Sequence, residues 1–452
     1  MPHSMVRVMT HGSTTQTMAE RWLWLGVISL AVAGLFAVVL VLARTPQLAV
    51  FTELFSVALV IHVDLSVLMW FLSMLGMGLA LMLQRYPDAW AIWKKAGWWV
   101  MAAATVLMAL SPLHPQWEVI KSNYIPVLHN PIFMLSLGLV FSGLMLMVIP
   151  PIVTFSARRH WRSLGLVEMG WLMAAVIVAL ALIAFYLSAQ AMPVGLPHDE
   201  MYEMLFWAGG HIWQFSFCLL MMSAWLVLLE RLGLKHPARG WVMAAYAITL
   251  LGAFVSFLGF AMYPVDSSDF TYHQTRVMRE WGGLGVGLFS LLVLFRLLQW
   301  KPVRATRAYA SILATSLLLF AGGGVLGLMI SGQNVTIPAH YHGVIVGITL
   351  ALMGLAYAML PGFGYQSVAA TRLAFWQPIV YGIGQLMHIG GLAYSGGYGV
   401  LRKTAGAAAN SLTPDVKIAM GVMGTGGLLA VIGGILFVVV MAKANGQGRL
   451  SS

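Results

Sequence analysis

Charge is what this chain has least of. Only 9% of its 452 residues are Asp, Glu, Lys or Arg, against roughly a quarter in a soluble domain. A water-soluble globule is thereby excluded. Disorder is excluded too, because it needs low hydrophobicity and high charge, whereas 60% of these residues are hydrophobic. Cysteine is almost absent. The single Cys218 rules out a disulfide framework and any thiolate-built zinc or iron–sulfur site within the chain. No CxxCH haem-attachment motif and no Cys/His copper relay occur. The first hydrophobic run reads as a span rather than a cleavable leader, since Leu23–Leu42 exceeds a leader's apolar core and no small-residue cleavage site follows.

What is present is long apolar sequence. A helix needs about 20 apolar residues to cross a bilayer. Twelve runs meet or approach that length: 22–43, 52–84, 97–112, 131–156, 163–190, 204–230, 240–262, 281–299, 308–330, 338–360, 373–395 and 418–442. Connections are short and often carry Pro or Gly, with no internal repeat and no soluble module. The expectation is an all-α polytopic membrane protein forming a single transmembrane domain over 1–452, with short tails at 1–21 and 443–452.

The net charge of +11 is explained by topology. With the N-terminus inside, 18 of the 25 Lys and Arg fall on inner segments and 7 on outer ones. This is the positive-inside bias. It predicts both termini in the cytoplasm and no nucleic-acid partner.

Thirteen histidines occur. His3 and His11 lie in the N-terminal tail, His160 and His236 in inner loops, and His114, His129 and His198 in outer loops, where imidazole is unremarkable. Five others sit inside the spans, His388 in the eleventh among them. His62 lies about ten residues into the second run and His211 about seven into the sixth, while His340 and His342 open the tenth. His273 follows the seventh near its outer end. At about 1.5 Å per residue, His62, His211, His340, His342 and His273 reach one level in the outer third of the membrane. Ionisable side chains are costly there and mark function by default. Imidazole at a common depth suits haem iron or copper. Positions i and i+2 of Ala339-His340-Tyr341-His342-Gly343 point roughly 200° apart on a helix, so the two rings serve different partners on opposite sides. Gly343, and Gly209-Gly210 before His211, are expected to let a flat group approach the backbone.

These residues resemble subunit I of the haem–copper oxidase superfamily, which includes terminal oxidases and nitric oxide reductases. The resemblance rests on His62, on Gly209-Gly210-His211, on Ile337-Pro338-Ala339-His340-Tyr341-His342, and on His388 with Gly391-Leu392 and Arg402-Lys403. It implies that His62 and His342 ligate a low-spin haem and that His340 ligates a high-spin haem. It further implies that His211 binds the facing non-haem metal and that Arg402 and Lys403 bind haem propionates. His388 matches a position near the haem edge that is not an iron ligand.

Two departures follow. The family usually supplies two adjacent histidines after the seventh helix, whereas Asp269-Phe270-Thr271-Tyr272-His273 has one. His273 becomes the second ligand and Asp269 a candidate oxygen ligand, with copper favoured over iron. Many oxygen reducers carry Tyr four residues after the first metal ligand, and better-known nitric oxide reductases carry Glu. Here that residue is Phe215. His-x-x-Gln-Phe is closer to the less-studied nitric oxide reductases, with Tyr246, Tyr263 or Tyr272 as substitute phenols if oxygen is the acceptor. The resemblance implies electron entry from a second subunit bearing a copper or c-type haem domain, in a bacterial plasma membrane. Two other readings stand beside it: a di-haem electron carrier without a catalytic site, and a metal-ion transporter.

Overall fold

A computed structural model describes residues 14–43, 54–86, 90–332, 334–397 and 413–447. Among these residues twelve long helices follow one another: α1 Thr14–Ala43, α2 Phe55–Arg85, α3 Ala91–Leu110, α4 Pro131–Ser156, α5 Leu166–Gln190, α6 His198–Arg231, α7 Arg239–Met262, α8 Ser268–Leu297, α9 Arg307–Leu328, α10 Thr336–Met359, α11 Arg372–Gly397 and α12 Pro414–Gly446. Among the described residues, eleven are long and apolar enough to cross a membrane. The exception, α11, carries Gln377, Gln385 and His388 on its buried side. A two-stranded antiparallel hairpin joins α3 to α4, with β1 Glu118–Ile120 paired to β2 Val127–His129.

Helix starts follow local chemistry. Asn130 caps α4 by accepting from the Phe133 N–H at 2.9 Å, with Pro131 at the first helical position. The sixth helix begins at His198, earlier than the apolar run at 204, because Pro197 and the acidic Asp199 and Glu200 suit a helix N-terminus. The eighth likewise begins at Ser268, capped by Ser267, whose hydroxyl accepts from the Phe270 N–H at 3.1 Å. His273 is therefore helical and does not lie in the loop expected from the hydropathy break. Residues 268–281 escape a hydropathy count because one polar face is exposed and only Phe270, Gln274 and Val277 are buried.

The chain divides into two compact units. The first comprises Met1–Ala33, Val60–Leu226 and Pro237–Phe289. The second half of α2 is its centre, with every residue from Trp70 to Leu83 buried. Gly76 takes the Trp22 indole of α1, Gly78 takes the Trp171 indole of α5, and Phe71 meets Phe217 of α6 edge-on at 4.8 Å. Just after His62 the helix widens into a π-turn over Asp64–Met69. The Ser29 hydroxyl donates to the Leu65 carbonyl there at 2.7 Å, supplying a partner where the regular ladder is disturbed.

The second unit comprises Gly34–Leu59, Val227–His236 and Ser290–Ser452. Its core is α10, buried continuously from Val346 to Met359. Gln377 of α11 donates to the Gly433 carbonyl of α12 at 3.2 Å and accepts from the Tyr357 hydroxyl at 3.4 Å, so its buried amide is paired. The Arg231 guanidinium donates to the Ala358 carbonyl at the end of α10.

Candidate metal centre

Five of the six candidate histidines share one arrangement, in which Nδ1 faces a backbone carbonyl. His62 pairs with Ala33 at 2.9 Å, His211 with Trp207 at 2.7 Å and His340 with Gly323 at 2.7 Å. His342 pairs with Pro338 at 2.8 Å and His388 with Met423 at 3.0 Å. A carbonyl oxygen can only accept, so Nδ1 carries the proton and Nε2 of the neutral ring keeps its lone pair. Metal-ligating histidines are held this way, with the outer partner fixing the tautomer and raising basicity. Among the described residues, no protein group takes Nε2 of His62, His211 or His340. The donor chemistry fits axial haem ligation and a non-haem metal ligand.

Within the second unit, the opposite-face expectation for α10 holds. His340 turns to α9, where a Cβ on Gly327 would fall 2.5 Å from its Nδ1. His342 turns to α11, its ring centroid 4.9 Å from that of His388. The hundred-degree step of the helix places the two rings on separate sides, as i and i+2 require.

Within the first unit, His211 is 4% exposed, on the stripe Glu203, Trp207, His211 that repeats every four residues along α6. Two rings lie against it: Trp207 at 4.7 Å and Tyr124 at 4.8 Å between centroids. Tyr124 sits in the turn between β1 and β2 with a φ of 69°, a left-handed conformation that costs a bulky residue about 1–3 kcal/mol. The turn is tied down because the backbone N–H of Asn123 donates to Glu203 Oε2 at 2.8 Å and its side-chain amide to Oε1. Burial, then the Glu203 carboxylate, push the Tyr124 phenol well above its ordinary pKa, so it stays protonated at any physiological pH.

The expected second ligands are placed less favourably. His273 spends Nε2 on the Val255 carbonyl at 3.0 Å, which leaves only Nδ1 for a metal. Asp269 lies one turn before it at the exposed start of α8. Among the described residues, no three His, Cys, Asp or Glu side chains stand close enough to hold a metal ion, so His211, His273 and Asp269 do not form a ready cage. The elements are nonetheless linked, since Trp207 Nε1 donates to the Thr271 carbonyl at 3.3 Å. Arg402 and Lys403 lie outside the described residues.

The glycines correct the reading of open space. A Cβ on Gly210 would enter the Tyr124 ring, one on Gly209 the Phe185 ring, and one on Gly343 would come within 2.6 Å of the Gly323 Cα. These positions seat aromatic rings and a neighbouring helix rather than a flat cofactor. Tyr124 was missed by sequence reasoning. The signal was the Gly209-Gly210 pair itself, since glycine beside a functional histidine implies something bulky against it. Of the expected substitute phenols, Tyr246 lies 3.5 Å from the Ser223 hydroxyl and Tyr263 has its ring 5.7 Å from His273, neither in contact with His211. The loop histidines are not isolated either: His129 stacks on His198 at 4.3 Å, and His198 pairs with Glu118 at 2.7 Å.

Membrane-length helices that carry the imidazoles of His62, His211 and His340, with Nε2 taken by no described protein group, are suited to an integral-membrane protein that binds metal groups. The chain belongs to the cytochrome c and quinol oxidase polypeptide I family, whose sequence model matches residues 17–436. It is a multi-pass membrane protein and a haem–copper type oxidoreductase subunit. It is 31% identical over 507 aligned positions to an uncharacterized protein of Rickettsia prowazekii, covering 96% of this chain and 97% of that one. It is also 28% identical over 356 positions to an uncharacterized protein of Aquifex aeolicus, covering 76% of this chain and 85% of that one. Members of the family generally bind a low-spin haem, a high-spin haem and copper, and subunit I normally associates with further subunits.

Proposed function

We propose that this chain is the catalytic subunit of a terminal respiratory complex that reduces a small uncharged gas, nitric oxide in preference to oxygen. The observation that carries the reading is the common state of His62, His211 and His340, each with Nδ1 committed to a carbonyl and Nε2 left to ligate. On this reading His62 and His342 hold the low-spin haem and His340 the high-spin haem. His211 holds the non-haem metal, copper rather than iron, and His273, through Nδ1, and Asp269 would join it only by leaving the positions described above. When bound, these groups supply electron transfer and a reducing metal pair. The chain supplies fixed tautomers, an apolar shell that admits gases and excludes ions, and Arg402 and Lys403 for the propionates. Electrons enter from a membrane-anchored subunit with a copper or c-type haem domain, because this sequence has neither. The setting is a bacterial plasma membrane with both termini inside, from the distribution of Lys and Arg.

Phe215 supports nitric oxide. It brings neither the phenol nor the carboxylate that other family members place there, and its ring fills the space over Gly252. Oxygen remains the second reading on one observation, the Tyr124 phenol against His211, since O–O cleavage needs an extra electron and proton.

The test is consumption of NO and of O2, measured separately on the purified complex with metal analysis. Fast O2 turnover without NO turnover overturns the preference. His211→Ala should retain the low-spin haem spectrum and abolish turnover. Persistent activity would show that His211 does not hold the non-haem metal.

A further inference from the structure

An imidazole ring turns easily about its terminal torsion, whose preferences are broad. The Nδ1 bond from His211 to its own helix carbonyl restrains that rotation but leaves the ring free to rock. The loop between β1 and β2 closes the remaining freedom. Tyr124 and Trp207 lie 6.1 Å apart and each touches the His211 ring, so the three rings form a closed triangle within the first unit. The Tyr124 side of the triangle does not hold itself in place. Its backbone is in a left-handed conformation that a bulky residue adopts only under constraint, and the constraint is Asn123, bound through both its N–H and its amide to Glu203, two turns before His211 on the same helix stripe. Gly210 completes the seat, because a Cβ there would enter the Tyr124 ring.

We propose that Tyr124 is a positioning residue for the metal centre: a strap hung from Glu203 through Asn123 that presses an aromatic ring on His211 and fixes the direction in which Nε2 points. The inference rests on the reading of His211 as the non-haem metal ligand. With nitric oxide as the gas, the ring does this work and the hydroxyl is dispensable, so kcat is read with nitric oxide. Because the clamp and the ligand share α6, the strap and the imidazole are held to one helix, and Nε2 would be offered to a metal in one direction.

The experiment compares Tyr124→Phe, Tyr124→Ala and Asn123→Ala in the complete complex. Three quantities are read: non-haem metal per haem, the infrared band width of carbon monoxide photodissociated onto that metal, and kcat for the gas. Tyr124→Phe should stay within about twofold of wild type in kcat with an unchanged band. Tyr124→Ala should lose at least tenfold in kcat, broaden the band and lower the metal content, with the low-spin haem spectrum intact. Asn123→Ala should shift all three in the same direction by less. Wild-type values for Tyr124→Ala overturn the proposal, as does a Tyr124→Phe loss equal to that of Tyr124→Ala. If Tyr124→Ala does not assemble, Asn123→Ala decides, and wild-type values there overturn it. A wild-type complex without non-haem metal, or a His211→Ala variant with full turnover, would instead sink the functional reading, and the proposal would fall with it.

Discussion

Gly323 of α9 and Gly343 of α10 lie backbone to backbone, close enough that a Cβ on Gly343 would approach the Gly323 Cα to 2.6 Å. The carbonyl of the same Gly323 takes the Nδ1 proton of His340 at 2.7 Å. One helix crossing therefore sets both the packing of the second unit and the tautomer of its candidate iron ligand. Small residues allow such close approach in membrane bundles, where packing replaces the hydrophobic drive between helices.

Gly343→Ala should consequently act on two levels. Overpacking at a rigid contact costs about 1–3 kcal/mol, visible as a lower thermal transition in detergent. The displaced α9 carbonyl should also loosen His340 and lower high-spin haem occupancy. A variant with wild-type stability and haem content would show that the crossing yields without consequence.

His340 and His342 should separate spectroscopically. Their Nδ1 atoms are bound to different helices' carbonyls, Gly323 of α9 and Pro338 of α10. On the proposed assignment, His340→Ala removes the high-spin haem signature and spares the low-spin one, and His342→Ala does the reverse. Optical and paramagnetic resonance spectra of the two variants decide it. Loss of the same signal in both would refute the division.

Arg85 and Glu168 form an ion pair at 2.7 Å, with the Glu168 side chain 8% exposed and that of Arg85 33%. Glu168 also accepts from the Gly165 N–H at 2.8 Å at the start of α5. Removing the cation leaves a nearly buried carboxylate with one partner. Arg85→Ala is expected to destabilise by about 2–3 kcal/mol, toward the lower side of what breaking a buried pair costs. Arg85→Ala combined with Glu168→Gln should recover part of it. Thermal melts of the two variants check the order.

Asp64 is 1% exposed, and among the described residues neither of its carboxyl oxygens has a hydrogen-bond partner. A buried orphan of this kind costs roughly 1–3 kcal/mol. Asp64→Asn should therefore melt no lower than wild type. A clear drop in the melting temperature would show that the carboxyl has a stabilising partner.

The sequence by itself determined the membrane architecture and named the candidate ligands. Hydropathy counts residues one at a time, and a lipid-crossing helix needs only length and apolarity, so the twelve runs correspond to the twelve helices. The i, i+2 spacing of His340 and His342 is likewise a property of the helix alone, and their opposite orientation was legible before any fold. Where polarity broke the apolar run, the sequence misled: His273 lies on a helix because Ser267 caps it and one face of 268–281 is buried, which a hydropathy break conceals. Tertiary structure alone decided what lies against each ring. The carbonyl partners of His62 and His340 come from 29 and 17 residues away, and Tyr124 reaches His211 across 87 positions. Glycine marks a close approach without naming what approaches, so Gly209, Gly210 and Gly343 read the same whether a cofactor, a phenol or another helix fills the space. Only packing between distant segments settles that choice.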